Sequence, residues 1–169
     1  MGVLGVYLLF VGITLFLNGV ARLTDIPPRA VALMNAITAV IILIGSFINF
    51  SHAVATADFE SVASGFLFGF TYVFIAINTW FNLDWRPFAW FSLFVAIWAV
   101  YEMILAIQGH SWGFVWLWFA WALVWANGFL DTICGWKLMG RIFPYLVMFV
   151  GLTAAFIPAM LMLTDRWTF

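Results

Sequence analysis

Basic residues in this chain alternate between the gaps that separate its long apolar runs. Five of the six Lys and Arg residues fall in three gaps: Arg22 and Arg29 in the first, Arg86 in the third, and Lys137 and Arg141 in the fifth. The second and fourth gaps carry neither residue type. Because helical membrane proteins keep such residues on the cytoplasmic side, the alternation predicts six membrane spans with both termini on the extracytoplasmic side.

Six apolar runs are long enough to cross a bilayer as helices, which requires about 20 residues each. They cover positions 3–21, 30–50, 62–81, 88–107, 112–134 and 142–163. The chain is 67% hydrophobic and 8% charged, so a soluble fold of this length could not bury its apolar surface. The first run lacks the basic segment of a cleaved signal peptide. The predicted fold class is an all-α integral membrane protein, with residues 1–169 forming a single domain of six transmembrane helices.

Ionisable residues inside the runs are few, and each is a candidate for function because a charge within a membrane is costly. Glu102 lies near the outer end of the fourth run, where it can reach water or a neighbouring subunit. Asp131 lies near the inner end of the fifth run, close enough in sequence to Lys137 and Arg141 to form an interfacial ion pair. A proton relay or an ion-coupled transporter usually needs several buried charges, and this chain offers at most these two.

No enzyme, metal or cofactor site can be assembled from the sequence. The motifs His-x-x-x-His and Ser-x-x-Lys are absent. The single cysteine, Cys134, excludes an intrachain disulfide and a multi-cysteine metal centre. The net charge of -1 argues against a nucleic acid partner. We therefore expect no catalytic residue, no metal and no cofactor.

Aromatic residues mark one helix face of the fifth run. Four of them are spaced i, i+4, i+7 and i+11 and so share one side of a helix: Phe114, Trp118, Trp121 and Trp125. Tryptophan in membrane proteins usually marks the two interfaces, and Trp112 and Trp116 can be explained in that way. Trp121 and Trp125 lie about 3 Å from the middle of the run, where an indole N–H needs a partner. A second helix, a polar pore or a passing solute could each supply it.

Two other runs offer matching faces. The third run has phenylalanines at i, i+4 and i+8, which are Phe66, Phe70 and Phe74. The first run has aliphatic residues at i, i+4, i+7 and i+11, with Asn18 continuing the stripe inward: Leu4, Leu8, Val11 and Leu15. Taken singly, such a stripe is typical of helix packing. Three such faces together would enclose a narrow slot, where an ion loses its hydration without compensation but a small, neutral, planar molecule can stack on the rings.

Two segments of the sequence resemble the signature of a known family. They are Gly65-Phe-Leu-Phe-Gly-Phe-Thr-Tyr-Val-Phe-Ile-Ala-Ile-Asn78 and Leu83-Asp-Trp-Arg-Pro-Phe-Ala-Trp-Phe-Ser-Leu-Phe-Val-Ala-Ile97. Shorter matches are Val11-Gly12, Asn18-Gly19, Trp118-Phe-Ala-Trp121 with Trp125, and Ile157-Pro158-Ala159. On these residues the chain is identified as a member of the AmiS/UreI family of bacterial urea and short-chain amide channels, and the resemblance covers essentially the whole chain.

The resemblance implies a homo-hexamer in the bacterial cytoplasmic (inner) membrane, in which each six-helix protomer is a channel domain with its own pore. It implies passive conduction of urea or small aliphatic amides, with urease or amidase as a functional partner. The pore is expected to be lined by the first, third and fifth spans and to narrow at two aromatic, hydrophobic constrictions. Carried over to this chain, the pore-lining positions are Leu4, Leu8, Val11, Leu15, Phe70, Phe74, Trp118, Trp121, Val124 and Trp125.

The outer loops of this chain differ from those of the acid-gated member of the family. That member has longer loops rich in histidine and carboxylates, whereas the outer gaps here hold only His52, His110, Asp58 and Glu60. A carboxylate in its last span is replaced by Val150 in this chain. We therefore expect a channel without acid gating.

The substrate and the transport mode stay open on the residues alone. Phe74 stands where the acid-gated member has tyrosine, which removes a hydroxyl from the expected pore wall, and both urea and acetamide-like amides are small, planar and neutral. The alternatives to a passive channel are an ion-coupled secondary transporter of small amides, a non-conducting membrane assembly protein, and an integral membrane enzyme for which the sequence offers no site.

Overall fold

The computed structural model of the chain describes residues 2–168, and most of them are helical. Seven α-helices follow in chain order: α1 Gly2–Leu23, α2 Pro28–His52, α3 Thr56–Phe81, α4 Arg86–Gln108, α5 Trp112–Thr132, α6 Lys137–Gly151 and α7 Ile157–Leu163. A π-helical turn, Leu152–Phe156, joins α6 to α7, so the three pieces form one span, Lys137–Leu163. The described residues thus contain six helices long and apolar enough to cross a membrane, which confirms the predicted number.

Two helices begin well before the apolar runs predict, by six residues in α3 and five in α6. Helix α3 begins at Thr56 rather than at position 62, because Asp58 caps its first turn. The Asp58 carboxylate accepts hydrogen bonds from the backbone N–H groups of Val54, at 3.0 Å, and Ala55, at 2.8 Å. A carboxylate there satisfies amides that have no partner within the helix and complements the helix dipole. Similarly, α6 begins at Lys137 rather than at 142.

The turn before α4 is held by an ion pair. The Asp84 carboxylate accepts a hydrogen bond from the Arg86 backbone N–H, at 2.9 Å, and another from Arg86 Nε, at 2.8 Å. The Arg86 side chain and backbone hydrogen bonds hold the pKa of Asp84 below its ordinary value. Both side chains are exposed, so this contact fixes the local turn and contributes little to global stability.

The backbone divides into two compact units. One unit contains α1, α4, α5 and the span formed by α6, the π-turn and α7; the other contains α2 and α3. Within the first unit, α1 packs along the whole last span, and α5 packs against both α4 and α6. Helices α1 and α5 therefore lie on the last span rather than on each other.

A glycine face on α1 makes its close packing possible. Gly5, Gly12 and Gly19 recur every seven residues and so share one side of the helix, and all three are buried. A Cβ on Gly12 would lie 2.6 Å from the backbone N of Phe156 and 2.8 Å from the carbonyl O of Gly151. Small residues allow such backbone contact between membrane helices, so this face determines how α1 lies on the last span.

The second unit is a pair of helices that also meets at glycines. A Cβ on Gly69 of α3 would lie 2.6 Å from the Leu43 side chain of α2. Gly65 lies on the hydroxyl of the buried Ser46. Beside them the rings of Phe47 and Phe66 meet edge to face, with centroids 5.0 Å apart. The third-span phenylalanine stripe therefore begins as a packing contact with α2.

Candidate pore-lining site

The aliphatic stripe of α1 lies next to the glycine face of the same helix. Leu8, Val11 and Leu15 are buried, and Leu4 is half-buried. The glycines contact the last span, and the stripe lies beside them on the same helix. The predicted positions of the first span thus form a largely buried apolar strip.

Two tryptophans lie buried at mid-helix on α5. Trp121 and Trp125 are 4% and 6% exposed, whereas Trp112, at the start of the helix, is 62% exposed. Within Trp112–Thr132, the two buried residues lie about 1.5 and 4.5 Å along the axis from the midpoint. Trp118 packs edge to face on Trp121, with ring centroids 5.1 Å apart. Trp118 and Val124 are half-buried, and the fifth-span positions form one aromatic wall.

The outermost residue of the fifth-span stripe has a different neighbour. Phe114 packs edge to face on Trp167, with ring centroids 5.6 Å apart. Trp167 follows the last span in the chain. This contact gives Phe114 a role in packing at the N-terminal end of α5.

Trp116 has a specific partner that the sequence pattern did not reveal. Its indole N–H donates a hydrogen bond to the backbone carbonyl O of Thr153, at 3.2 Å. Thr153 lies within the π-turn of the last span. Because Trp116 lies near a helix end, the sequence was consistent with a position at the membrane interface. The hydrogen bond to the π-turn shows instead that its indole N–H faces the protein.

The third-span positions belong to the second unit and differ in exposure. Phe66 and Phe70 stack with ring centroids 6.0 Å apart, Phe70 is 45% exposed, and Phe74 is half-buried. Near the C-terminal end of the same helix, the buried Asn78 has its side-chain amide nitrogen without a hydrogen-bond partner among the described residues. This helix therefore offers both ring faces and an amide donor.

The buried polar side chains within residues 2–168 are all neutral. They are Thr14, Asn35, Thr38, Ser46, Thr71, Asn78, Ser92 and Asn127. Several bond to nearby backbone carbonyls: Asn35 donates to Val31 O at 3.0 Å, and Asn127 of α5 donates to Met139 O of α6 at 3.1 Å. The fully buried side chains that are described therefore offer hydroxyl and amide groups but no carboxylate, ammonium or guanidinium, while Glu102 and Asp131 are half-buried.

The structure differs from the sequence prediction for Asp131. Its carboxylate lies against the first turn of α6, where a Cβ on Gly140 would be 2.8 Å from Oδ1. Its electrostatic partner in the described chain is Arg22, at the end of α1, while Lys137 and Arg141 are exposed and make no ion pair with it. The missing side chain of Gly140 and the adjacent helix N-terminus explain this placement.

Six apolar helices and fully buried polar groups that are all neutral among the described residues are features of an integral membrane protein. The family described as AmiS/UreI family transporter matches residues 3–166. This chain belongs to that family, as its sequence signature predicts, and it is not an enzyme.

Two relatives illustrate the range of the family. The chain is 35% identical to the acid-activated urea channel of Helicobacter pylori strain J99, over 97% of this chain and 99% of the relative. It is 31% identical to a Mycolicibacterium smegmatis protein named as an amidate substrates transporter, over 96% of this chain and 78% of the relative. The alignment with the urea channel runs over 196 positions, more than the 169 residues of this chain, so that relative carries residues with no counterpart here.

The fold is also similar to a solved structure. The cryo-EM structure of the Helicobacter pylori urea channel in its closed state superposes with a TM-score of 0.87 at 34% identity, covering 98% of this chain and 100% of that one. This similarity confirms the all-helical membrane fold. The orientation of the termini, the hexamer and the identity of the membrane stay predictions.

Proposed function

We propose that this protein is a passive channel for urea or short-chain aliphatic amides, with one pore in each protomer. The observation that carries this proposal is the chemistry of the buried polar groups, which in the described chain are eight neutral side chains. Proteins that couple transport to protons or ions bury charged groups along the pathway. An uncharged interior therefore favours a neutral solute and passive passage over ion coupling.

The pore wall in this proposal consists of the positions carried over from the family. They are Leu4, Leu8, Val11, Leu15, Phe70, Phe74, Trp118, Trp121, Val124 and Trp125. Apolar and aromatic walls of this kind exclude ions, because nothing replaces the lost hydration shell. A planar amide can lie flat against an indole face and exchange hydrogen bonds with an N–H group, which makes urea and acetamide-like amides suitable substrates.

The names of the relatives indicate two classes of substrate for this family. One relative is a urea channel, and another is named for amidate substrates. Since both solute classes are small, planar and neutral, we propose that the pore conducts both. In the cell, such a channel would supply its substrate to urease or amidase. We also propose that the protein forms a homo-hexamer in the bacterial cytoplasmic membrane, with both termini outside.

Acid gating is not part of the proposed function. The urea channel named as acid-activated carries residues with no counterpart here, consistent with the shorter outer gaps of this chain. His52 and His110 are both exposed, and exposed charges are strongly screened by solvent. Val150 is buried and apolar, so this position of the last span offers no titratable group.

The proposed substrate class can be tested with purified protein in liposomes. Stopped-flow light scattering would follow recovery of vesicle volume after mixing with urea, acetamide or glycerol at equal osmolarity. We expect recovery with urea and acetamide to be far faster than in empty vesicles, and glycerol, which is not planar, to recover at the rate of empty vesicles. Equal rates with and without protein for both planar solutes would contradict the proposal and favour a non-conducting assembly protein.

A further inference from the structure

The last span carries a backbone carbonyl that its own helix does not satisfy. At the π-turn, the backbone N–H of Ile157 donates to the carbonyl of Leu152 rather than to that of Thr153, its partner in a regular α-helix. The next residue, Pro158, has no N–H to offer. Because an unsatisfied carbonyl within a membrane is costly, Thr153 needs a donor from elsewhere.

Trp116 of α5 supplies that donor. Its Nε1 lies 3.2 Å from the Thr153 carbonyl oxygen. The Trp116 ring also packs edge to face on Phe149, one turn earlier in the last span, with centroids 6.1 Å apart. The Thr153 hydroxyl in turn donates to the Phe149 carbonyl at 2.9 Å. One indole therefore joins α5 to the π-turn through both a hydrogen bond and a ring contact.

The same turn also contacts α1. A Cβ on Gly12 would meet the carbonyl of Gly151, which precedes the π-turn, and the backbone N of Phe156, the last residue of the turn. A Cβ on Gly151 would lie 3.0 Å from the Leu15 Cβ and 3.2 Å from the backbone N of Phe16. The π-turn thus touches the aliphatic strip at Leu15.

We propose that Trp116 is a positioning residue for the pore, an inference that rests on the proposed channel function. The two walls of the first unit, Leu8–Leu15 on α1 and Trp118–Trp125 on α5, belong to helices that both pack on the last span. The Trp116–Thr153 hydrogen bond joins α5 to the turn that also contacts α1. Its loss lets α5 move relative to α1 and changes the width of the pore.

The inference predicts a change in selectivity rather than only in stability. Trp116→Phe keeps an aromatic ring and removes the N–H, and Trp112→Phe is the matched control at an exposed position of the same helix. We expect Trp116→Phe to change the ratio of urea to propionamide permeability about threefold, the factor that corresponds to an average interhelical hydrogen bond in a membrane. Trp112→Phe should leave this ratio unchanged.

A second variant separates the hydrogen bond from the shape of the ring. Replacing Trp116 with 3-benzothienylalanine by nonsense suppression keeps the bicyclic ring and removes only the donor, so it should reproduce the altered ratio even if Trp116→Phe folds poorly. An unchanged ratio in this variant would overturn the inference, and so would an equal change in Trp112→Phe. If vesicles with wild-type protein were no more permeable to urea than empty vesicles, the proposed channel function itself would be overturned. This outcome distinguishes failure of the channel function from failure of the positioning role of Trp116.

Discussion

The guanidinium group of Arg22 lies over the ring of Phe143, with Cζ 4.9 Å from the ring centroid. Arg22 is in the last turn of α1, and Phe143 is in α6. The Asp131 carboxylate, from α5, attracts the same guanidinium. A basic residue that the sequence assigns to membrane orientation therefore also connects α1 to α6.

We expect this contact to stabilise the fold modestly. Arg22→Gln should lower the free energy of unfolding by about 0.5–1 kcal/mol, the usual range for an exposed cation–π pair, as measured by titration with SDS. Arg141→Gln, an exposed basic residue of α6, is the control and should have little effect. The double variant Arg22→Gln/Phe143→Leu should lose less free energy of unfolding than the sum of the two single variants, because both substitutions remove the same interaction. Strictly additive losses would contradict this contact.

The contact of Gly12 with the π-turn predicts a larger loss. Gly12→Ala places a Cβ against backbone atoms of Gly151 and Phe156, at 2.8 and 2.6 Å, and backbone yields less easily than a side chain. We expect about 1–3 kcal/mol of destabilisation, as in other overpacked cores. Gly128→Ala is the control, since its Cβ would meet only Ser92 at an ordinary 3.5 Å. Similar melting temperatures for the two variants would show that α1 is not held closely on the last span.

The buried tryptophans of α5 should control conduction. Trp121→Ala and Trp125→Ala each remove an aromatic wall surface at mid-helix, whereas Trp112→Ala removes a ring that is 62% exposed. We expect the first two to change urea permeability roughly two- to tenfold, which corresponds to about 0.5–1.5 kcal/mol for an aromatic contact. Stopped-flow measurements on well-folded protein would check this, and equal effects of all three variants would favour a packing role.

Conduction should be nearly constant between pH 5 and 7.5. Hydrogen bonds from Arg86 lower the pKa of Asp84. The stability that this pair contributes is therefore present above the ordinary pKa of aspartate, about 3.9, and is lost only at more acidic pH. The pair thus stays intact across the range from pH 5 to 7.5. Histidine is the side-chain type that changes charge within the range, and a gate that closes 100-fold needs roughly 2.7 kcal/mol. Exposed His52 and His110 each contribute well below that when screened by solvent.

The pH prediction can be checked by urea flux into liposomes with the external pH stepped across this range. The His52→Ala/His110→Ala double variant is the control. A steep loss of flux near pH 6.5 in the wild type that the double variant abolishes would show that two histidines are sufficient for a gate.

The number and type of helices could be predicted because they depend on composition and on apolar runs that follow from bilayer thickness. The start of α3 could not be predicted in this way. Asp58 is charged and so was left outside the apolar run, whereas in the structure its carboxylate caps the first turn of the helix. The aromatic stripe predicted that Trp121 and Trp125 share one helix face near the middle of the fifth run, and the structure adds that both are buried. The role of Trp116 could not be predicted, because its partner is a carbonyl exposed by a π-turn and no residue pattern specifies such a turn.

The predicted ion pair of Asp131 was also wrong. Sequence proximity to Lys137 and Arg141 does not show which helix end lies nearest to its carboxylate.

The most direct test of passive conduction compares urea entry and exit in the same proteoliposomes under equal and opposite gradients. The measurement is made with and without a protonophore and a sodium ionophore. Because the described interior contains no buried charge, we predict that both rates rise linearly with the gradient, are equal in the two directions and are unaffected by either ionophore. Urea entry that either ionophore abolishes would contradict the account and would identify an ion-coupled transporter instead.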